Sequence, residues 1–168
     1  TRNVGRLRRD IQLCKPTKVT IMLGMNDGGY RPFDAKLCKI YLDSMKLEIE
    51  MFQKHSNAEV MLVAPTPYDL RCRWERVTGQ VGERVNEKGA RVKRYEDMLI
   101  SRYPEALNRY SHELQKLALS VGLKYVNLNF AMERVLEKID GYDKNFRVTA
   151  EGVHPNVDGQ FQMGLCIL

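Results

Sequence analysis

Apolar positions along this chain recur with two periods, and the periods alternate. Over residues 4–13, Val4, Leu7 and Ile11, with Cys14 one step beyond, fall at the three-to-four spacing of a helix, with basic residues between them. Pro16, which has no amide donor, stops that helix. The run that opens at Lys18 and closes at Leu23 is short, rich in β-branched residues and ended by Gly24, which predicts a strand. A loop through Gly28, Gly29 and Pro32 follows. Asp34 is then placed to cap a helix over residues 35–53, whose apolar set is Leu37, Ile40, Tyr41, Met45, Ile49 and Phe52. Residues 59–64 predict a second strand, closed by Pro65-Thr66-Pro67. Pro104 suits the first turn of a helix reaching Ser120. Gly122 ends that helix, and residues 123–128 predict a third strand. A helix over 131–139, a turn at Gly141-Tyr142-Asp143 and a helix from Pro155 to the end complete the pattern.

Strands separated by long amphipathic helices imply βαβ crossovers, hence an α/β fold with a mostly parallel sheet covered on both faces. In such sheets function gathers at the carboxyl ends of the strands. Asn26 follows the first strand and Pro65-Thr66-Pro67 the second, so both belong on that edge. The 168 residues suffice for one domain with a real core, and no internal repeat is evident.

Composition narrows the function classes. Apolar residues make up 43% and charged residues 29%, ordinary for a globular protein. No segment approaches the roughly 18 uninterrupted apolar residues of a transmembrane helix. Thr1-Arg2-Asn3-Val4-Gly5 has no signal-peptide core behind it and no initiator methionine, so processing or a missing N-terminal portion is expected. Cys14, Cys38, Cys72 and Cys166 are scattered without metal-ligand spacing, which argues for four free thiols over a zinc site and leaves a disulfide open. The net charge of +6 is concentrated between Arg71 and Arg94, where eight basic residues stand against three glutamates. Only Trp74 and Tyr95 supply aromatic rings there, so a solvated basic face is favoured over a nucleic-acid surface.

Two motifs carry chemistry. Glu151 lies three residues before His154, and Pro155 bars His154 from helical geometry. A carboxylate holding one ring nitrogen turns the other into a general base. Asn26, in Gly24-Met25-Asn26-Asp27 at the mouth of the first strand, can aim an amide donor at a developing oxyanion. Each motif has a plain alternative: a structural histidine–acid pair, and ordinary turn chemistry before Gly28-Gly29. His55 and His112 have no such context and read as structural or exposed.

Taken together, the motifs resemble the SGNH (GDSL-type) hydrolase family of esterases and lipases. Gly24-Met25-Asn26-Asp27 is similar to the family's Gly-x-Asn-Asp block. Glu151-Gly152-Val153-His154-Pro155, followed by Asn156 and Gly159, is similar to its Asp-x-x-His-Pro block. The strand order and the Pro-x-Pro after the second strand extend the resemblance along the whole chain. It implies a three-layer, flavodoxin-like α/β fold that cleaves ester bonds without metal or organic cofactor. It also implies Asn26 as oxyanion donor, Gly24 as the tight exit from the strand and Asp27 as a brace of that loop. His154 would be the base and later the acid, oriented by Glu151. The substrate class implied is a small ester, with acylated carbohydrate included.

The chain departs from the family in two ways. Glu151 stands where the family has Asp, which adds a torsion between backbone and carboxylate. The Gly-Asp-Ser block that bears the nucleophile, and the glycine of the second block, have no counterpart. Ser44, Ser56, Ser101, Ser111 and Ser120 all lie in or beside predicted helices, without the sharp strand-to-helix turn that exposes a nucleophile. The nucleophile is therefore expected outside this chain, on a missing N-terminal part. The strand from Lys18 to Leu23, deprived of its neighbour, would pair with that segment or with another chain. Secretion or a periplasmic location would follow if the missing part held a signal peptide. The rival reading is a flavodoxin-like binding module, for carbohydrate for example, that retains a vestigial site.

Overall fold

In the computed structural model of the chain, the described residues are 2–72, 100–143, 145–149 and 151–167. The elements run α1 (Arg2–Cys14), β1 (Lys18–Met22), α2 (Ala35–His55), β2 (Glu59–Val63), α3 (Tyr103–Ser120), β3 (Lys124–Val126), α4 (Leu128–Asp140) and α5 (Val157–Ile167). The basic stretch noted between Arg71 and Arg94 lies, from residue 73 onward, outside the described residues.

The three strands form one parallel sheet in the order β1-β2-β3. Lys18 pairs with Glu59 and Met22 with Val63, while Val63 pairs in turn with Val126. Side chains alternate between the two faces, so Val19, Ile21, Val60, Leu62 and Tyr125 point one way. There they meet Ile11 of α1, the α2 stripe Cys38-Tyr41-Met45-Ile49-Phe52, and Tyr110, Leu114, Leu117 and Ala118 of α3. Met61, Val63 and Val126 point the other way, onto Leu128, Met132 and Met163 of α4 and α5. The sheet is thus covered by helices on both faces. Each fully buried Leu in these layers contributes about 1.5–3 kcal/mol relative to an exposed one.

Local chemistry sets the element ends. The Asp34 carboxylate accepts hydrogen bonds from the Lys36 and Leu37 amides at 2.8 and 3.2 Å, capping α2 as expected. Ile40, assigned to the α2 core by spacing, is instead exposed, because the buried stripe runs through Cys38 and Tyr41 and leaves residue 40 rotated outward. The third strand stops at Val126, short of Leu128, because Asn127 takes the next helix: its side-chain oxygen accepts from the Phe130 amide at 3.1 Å. All four cysteines are free thiols. No helix among the described residues is long and apolar enough to cross a membrane.

Two surfaces stay open among the described residues. Strand β1 pairs only with β2, and its second face, Lys18, Thr20 and Met22, is exposed. On α5, Val157, Phe161 and Leu165 form an apolar stripe at i, i+4, i+8, exposed to 85%, 65% and 56%.

Candidate active site

Since β1 and β2 end side by side, the segments that follow them start at the same edge. Gly24 leaves β1 at φ +126°, a backbone setting that side chains resist. A Cβ there would lie 3.3 Å from Pro65 and 3.4 Å from the Tyr41 ring, so the exit is also closely walled. Tyr41 donates its hydroxyl to the Leu23 carbonyl at 3.1 Å, and Tyr103 donates to the Met25 carbonyl. Asn26 closes a turn by accepting the Gly29 amide at its own carbonyl, 3.1 Å away. Its side chain is exposed at a cleft of about 170 Å³ shared with Leu23, Gly24, Asp27, Pro65 and Thr66.

The histidine loop is built by hydrogen bonds of its own. Thr149 and Pro155 form an isolated antiparallel bridge, which returns the chain on itself around Glu151 and His154. Asn156 closes the base of the loop: its amide donates to Val148 at 2.9 Å, and its side chain donates to Arg147 at 2.7 Å. The Asn156 side-chain oxygen also accepts from Gly159 at 2.9 Å, capping the start of α5. Within the loop, Glu151 Oε1 accepts from the His154 amide at 2.7 Å and also hydrogen-bonds to His154 Nδ1. That pairing places the ring proton on Nδ1 and leaves Nε2 as a base. Glu151 is mostly buried while the His154 side chain is 84% exposed, so the carboxylate is walled in and the ring faces outward. The added torsion of Glu over Asp is compatible with the contact.

A latch that spacing did not disclose supports this loop. Asp69 donates its amide to the Gly152 carbonyl at 3.0 Å, and Gly152 in turn donates to Thr149 Oγ1 at 3.0 Å. Cys72 Sγ contacts both the Thr149 carbonyl and its hydroxyl. Arg71 donates to both Asp69 oxygens, at 2.9 and 2.8 Å, and reaches Asp140 at the end of α4. Burial opposes ionisation of Asp69, but the hydrogen bonds and charge of Arg71 outweigh it and hold the carboxyl below its ordinary range.

The two motifs meet over an aromatic cluster. Tyr68, Tyr103, Ile100, Ala106 and Leu107 are its buried members, and Met25 and Tyr30 from the β1 loop pack on it alongside Val153 from the histidine loop. Tyr30 is raised above the usual phenol range by burial and then by the charge of Glu151, which sets the two loops within electrostatic reach. Asp27 makes no hydrogen bond among the described residues that would mark it as a brace; its charge instead reaches Tyr41 and Tyr103. Tyr30, Tyr68, Asp69 and Thr149 lie outside helices and strands and carry no period, while Tyr103 opens α3 beside Pro104, where a single turn shows no period either. The offset of four residues from Asn26 to Tyr30 was the one available signal.

Ser44, Ser56, Ser111 and Ser120 each donate to a carbonyl three or four residues back in the chain, at 2.7–2.9 Å.

No protein-family model matches the sequence, and no curated protein matches it. Among solved structures, the chain is similar to a gut microbial diltiazem-metabolizing enzyme, with a TM-score of 0.65 and 17% identity over 98% of this chain and 35% of that one. It is also similar to Axe2, an acetylxylan esterase from Geobacillus stearothermophilus, with a TM-score of 0.62 and 18% identity over 99% of this chain and 64% of that one. The chain therefore spans about a third of the first and less than two thirds of the second. What it shares with them is the fold, an α/β arrangement of flavodoxin-like type around a parallel sheet.

Proposed function

We propose that this chain carries the histidine–acid and oxyanion parts of a serine ester hydrolase of the SGNH type. The nucleophilic serine comes from a segment that precedes residue 1 in the whole protein. The observation that carries the reading is the double engagement of Glu151, whose one oxygen holds both the amide and Nδ1 of His154. A carboxylate in that position fixes ring and tautomer at once, which a structural histidine at the surface does not need. The acetylxylan esterase activity named for Axe2 favours the same chemistry, and extends the proposed substrates to acetylated sugars.

In the proposed reaction the serine oxygen attacks the ester carbonyl as His154 Nε2 takes its proton. The carbonyl electron pair moves onto oxygen, where the Asn26 side-chain amide donates to it. Collapse of that intermediate breaks the bond to the alcohol, which leaves with the proton from His154. Water, deprotonated by the same nitrogen, then attacks the acyl-enzyme and frees the acid and the serine. The open side of β1 is where a preceding strand would dock to bring the serine beside Asn26.

The test is a fluorophosphonate probe applied to the protein from its natural source, with intact mass recorded. One phosphonyl adduct on a chain heavier than 19.5 kDa, lost in His154→Ala, supports the reading. A 19.5 kDa chain that never reacts favours a binding module with a vestigial site.

A further inference from the structure

An oxyanion donor of the amide type has a weakness. The two ends of an Asn side chain are alike in size and opposite in sense: one donates and the other accepts. An amide that turns over presents its oxygen to the developing negative charge and repels it. A side-chain oxyanion donor therefore needs something that fixes its orientation, and Asn26, exposed at the rim of its cleft, is not fixed by burial.

Tyr30 supplies that restraint. Its hydroxyl donates to Asn26 Oδ1 at 2.5 Å. Its backbone sits at φ +53°, a left-handed setting seldom taken by a bulky residue and maintained only where the surroundings demand it. Those surroundings are aromatic. The Tyr30 ring lies 5.0 Å from Tyr103 and 5.9 Å from Tyr68, the latter edge-on. Tyr103 also ties down the Met25 carbonyl, one residue before Asn26.

We propose that Tyr30 is the positioning residue of the oxyanion donor: its hydroxyl occupies Asn26 Oδ1 and so turns Nδ2 toward the substrate. The inference rests on the reading of Asn26 given above. The hydroxyl keeps its proton through neutral pH, because burial and the Glu151 charge both oppose its loss. Tyr30 itself touches no reacting atom.

The test is a kinetic double-mutant cycle on the whole protein, with 4-nitrophenyl acetate as substrate and the thermal midpoint measured alongside. Tyr30→Phe keeps the ring and removes only the donor. It is expected to lower kcat roughly tenfold, a fraction of what outright loss of an oxyanion donor costs. KM and the thermal midpoint should stay near the parent's. In an Asn26→Ala background, Tyr30→Phe should have no further effect, since the residue acts through Asn26. An unchanged kcat in Tyr30→Phe, with Asn26→Ala crippled, overturns the Tyr30 proposal alone. So does a tenfold loss that persists undiminished in the Asn26→Ala background. Full activity in Asn26→Ala removes the oxyanion reading of Asn26, and the Tyr30 proposal with it.

Discussion

Gly152 lies against the main chain of Asp69 so closely that a Cβ on residue 152 would sit 2.6 Å from the Asp69 carbonyl oxygen. The same two residues are joined by the hydrogen bond from the Asp69 amide to the Gly152 carbonyl. At φ +91° this stretch of the histidine loop is open to glycine and resists other residues.

Gly152→Ala therefore meets both a clash with backbone and a strained dihedral, and is expected to cost about 1–3 kcal/mol. Urea titration of the whole protein reads that cost as a lower midpoint. Ester hydrolysis should fall further than stability, because Val153 and His154 ride on the displaced turn. A variant with the parental midpoint and rate would show that the contact does not constrain the loop.

Acid should loosen the latch. The folded Asp69 carboxyl lies below its ordinary range, so its ionised form adds stability that is fully present above the unfolded value of about 4. That contribution is lost as pH falls through the lower, folded value. Asp69→Asn should cost about 1–3 kcal/mol near neutrality, as a hydrogen-bonded charge is replaced. Its thermal midpoint should then decline less steeply than the parent's between about pH 5 and 3. Parallel curves over that interval would exclude Asp69 as an acid-sensitive group.

The cap at Asn127 is tested by exchange. Asn127→Ala removes the oxygen that accepts from Phe130 and is expected to destabilise the protein by about 1 kcal/mol, whereas Asn127→Asp keeps the cap and should be near neutral. Equal denaturation midpoints for the two variants would show that α4 starts without help from this side chain.

Strand β1 offers a fourth measurement. With one edge unpaired among the described residues and Thr20 and Met22 exposed, the 168-residue chain expressed by itself is expected to self-associate as concentration rises. Thr20→Lys combined with Met22→Lys should shift sedimentation toward the monomer. A monomer at every concentration without those changes would mean that the edge is already blocked.

Much of this molecule is legible in the chain because its helices and strands bury one face each. The stripe Tyr41-Met45-Ile49-Phe52 and the cap at Asp34 leave little choice for α2. The end of β3 was harder to read, since residues 123–128 look like a strand until one asks what the Asn127 side chain does. The site divides the same way. Glu151 and His154 are neighbours in sequence, and their contact follows from spacing. The engagement of Asn26 by Tyr30 depends on how the β1 loop folds back on itself, and that of Gly152 by Asp69 on how two loops distant in sequence come to rest. Arg71 shows the limit best: counted in sequence as part of a basic face, it is folded inward onto Asp69 and Asp140.

The register of β1 on β2 reaches beyond the sheet itself. Rungs are made by main-chain groups, so one apolar side chain can replace another on either strand and the exits at Gly24 and Pro65 stay level. Adding or deleting a single residue would shift one exit by a full step, about 3.3 Å, where a displacement of 1 Å can already cost a hundredfold in rate. Descent with modification would thus be free to rewrite the letters of these strands and bound to keep their length. A lineage under that rule would drift out of reach of sequence matching while its architecture stayed in plain view.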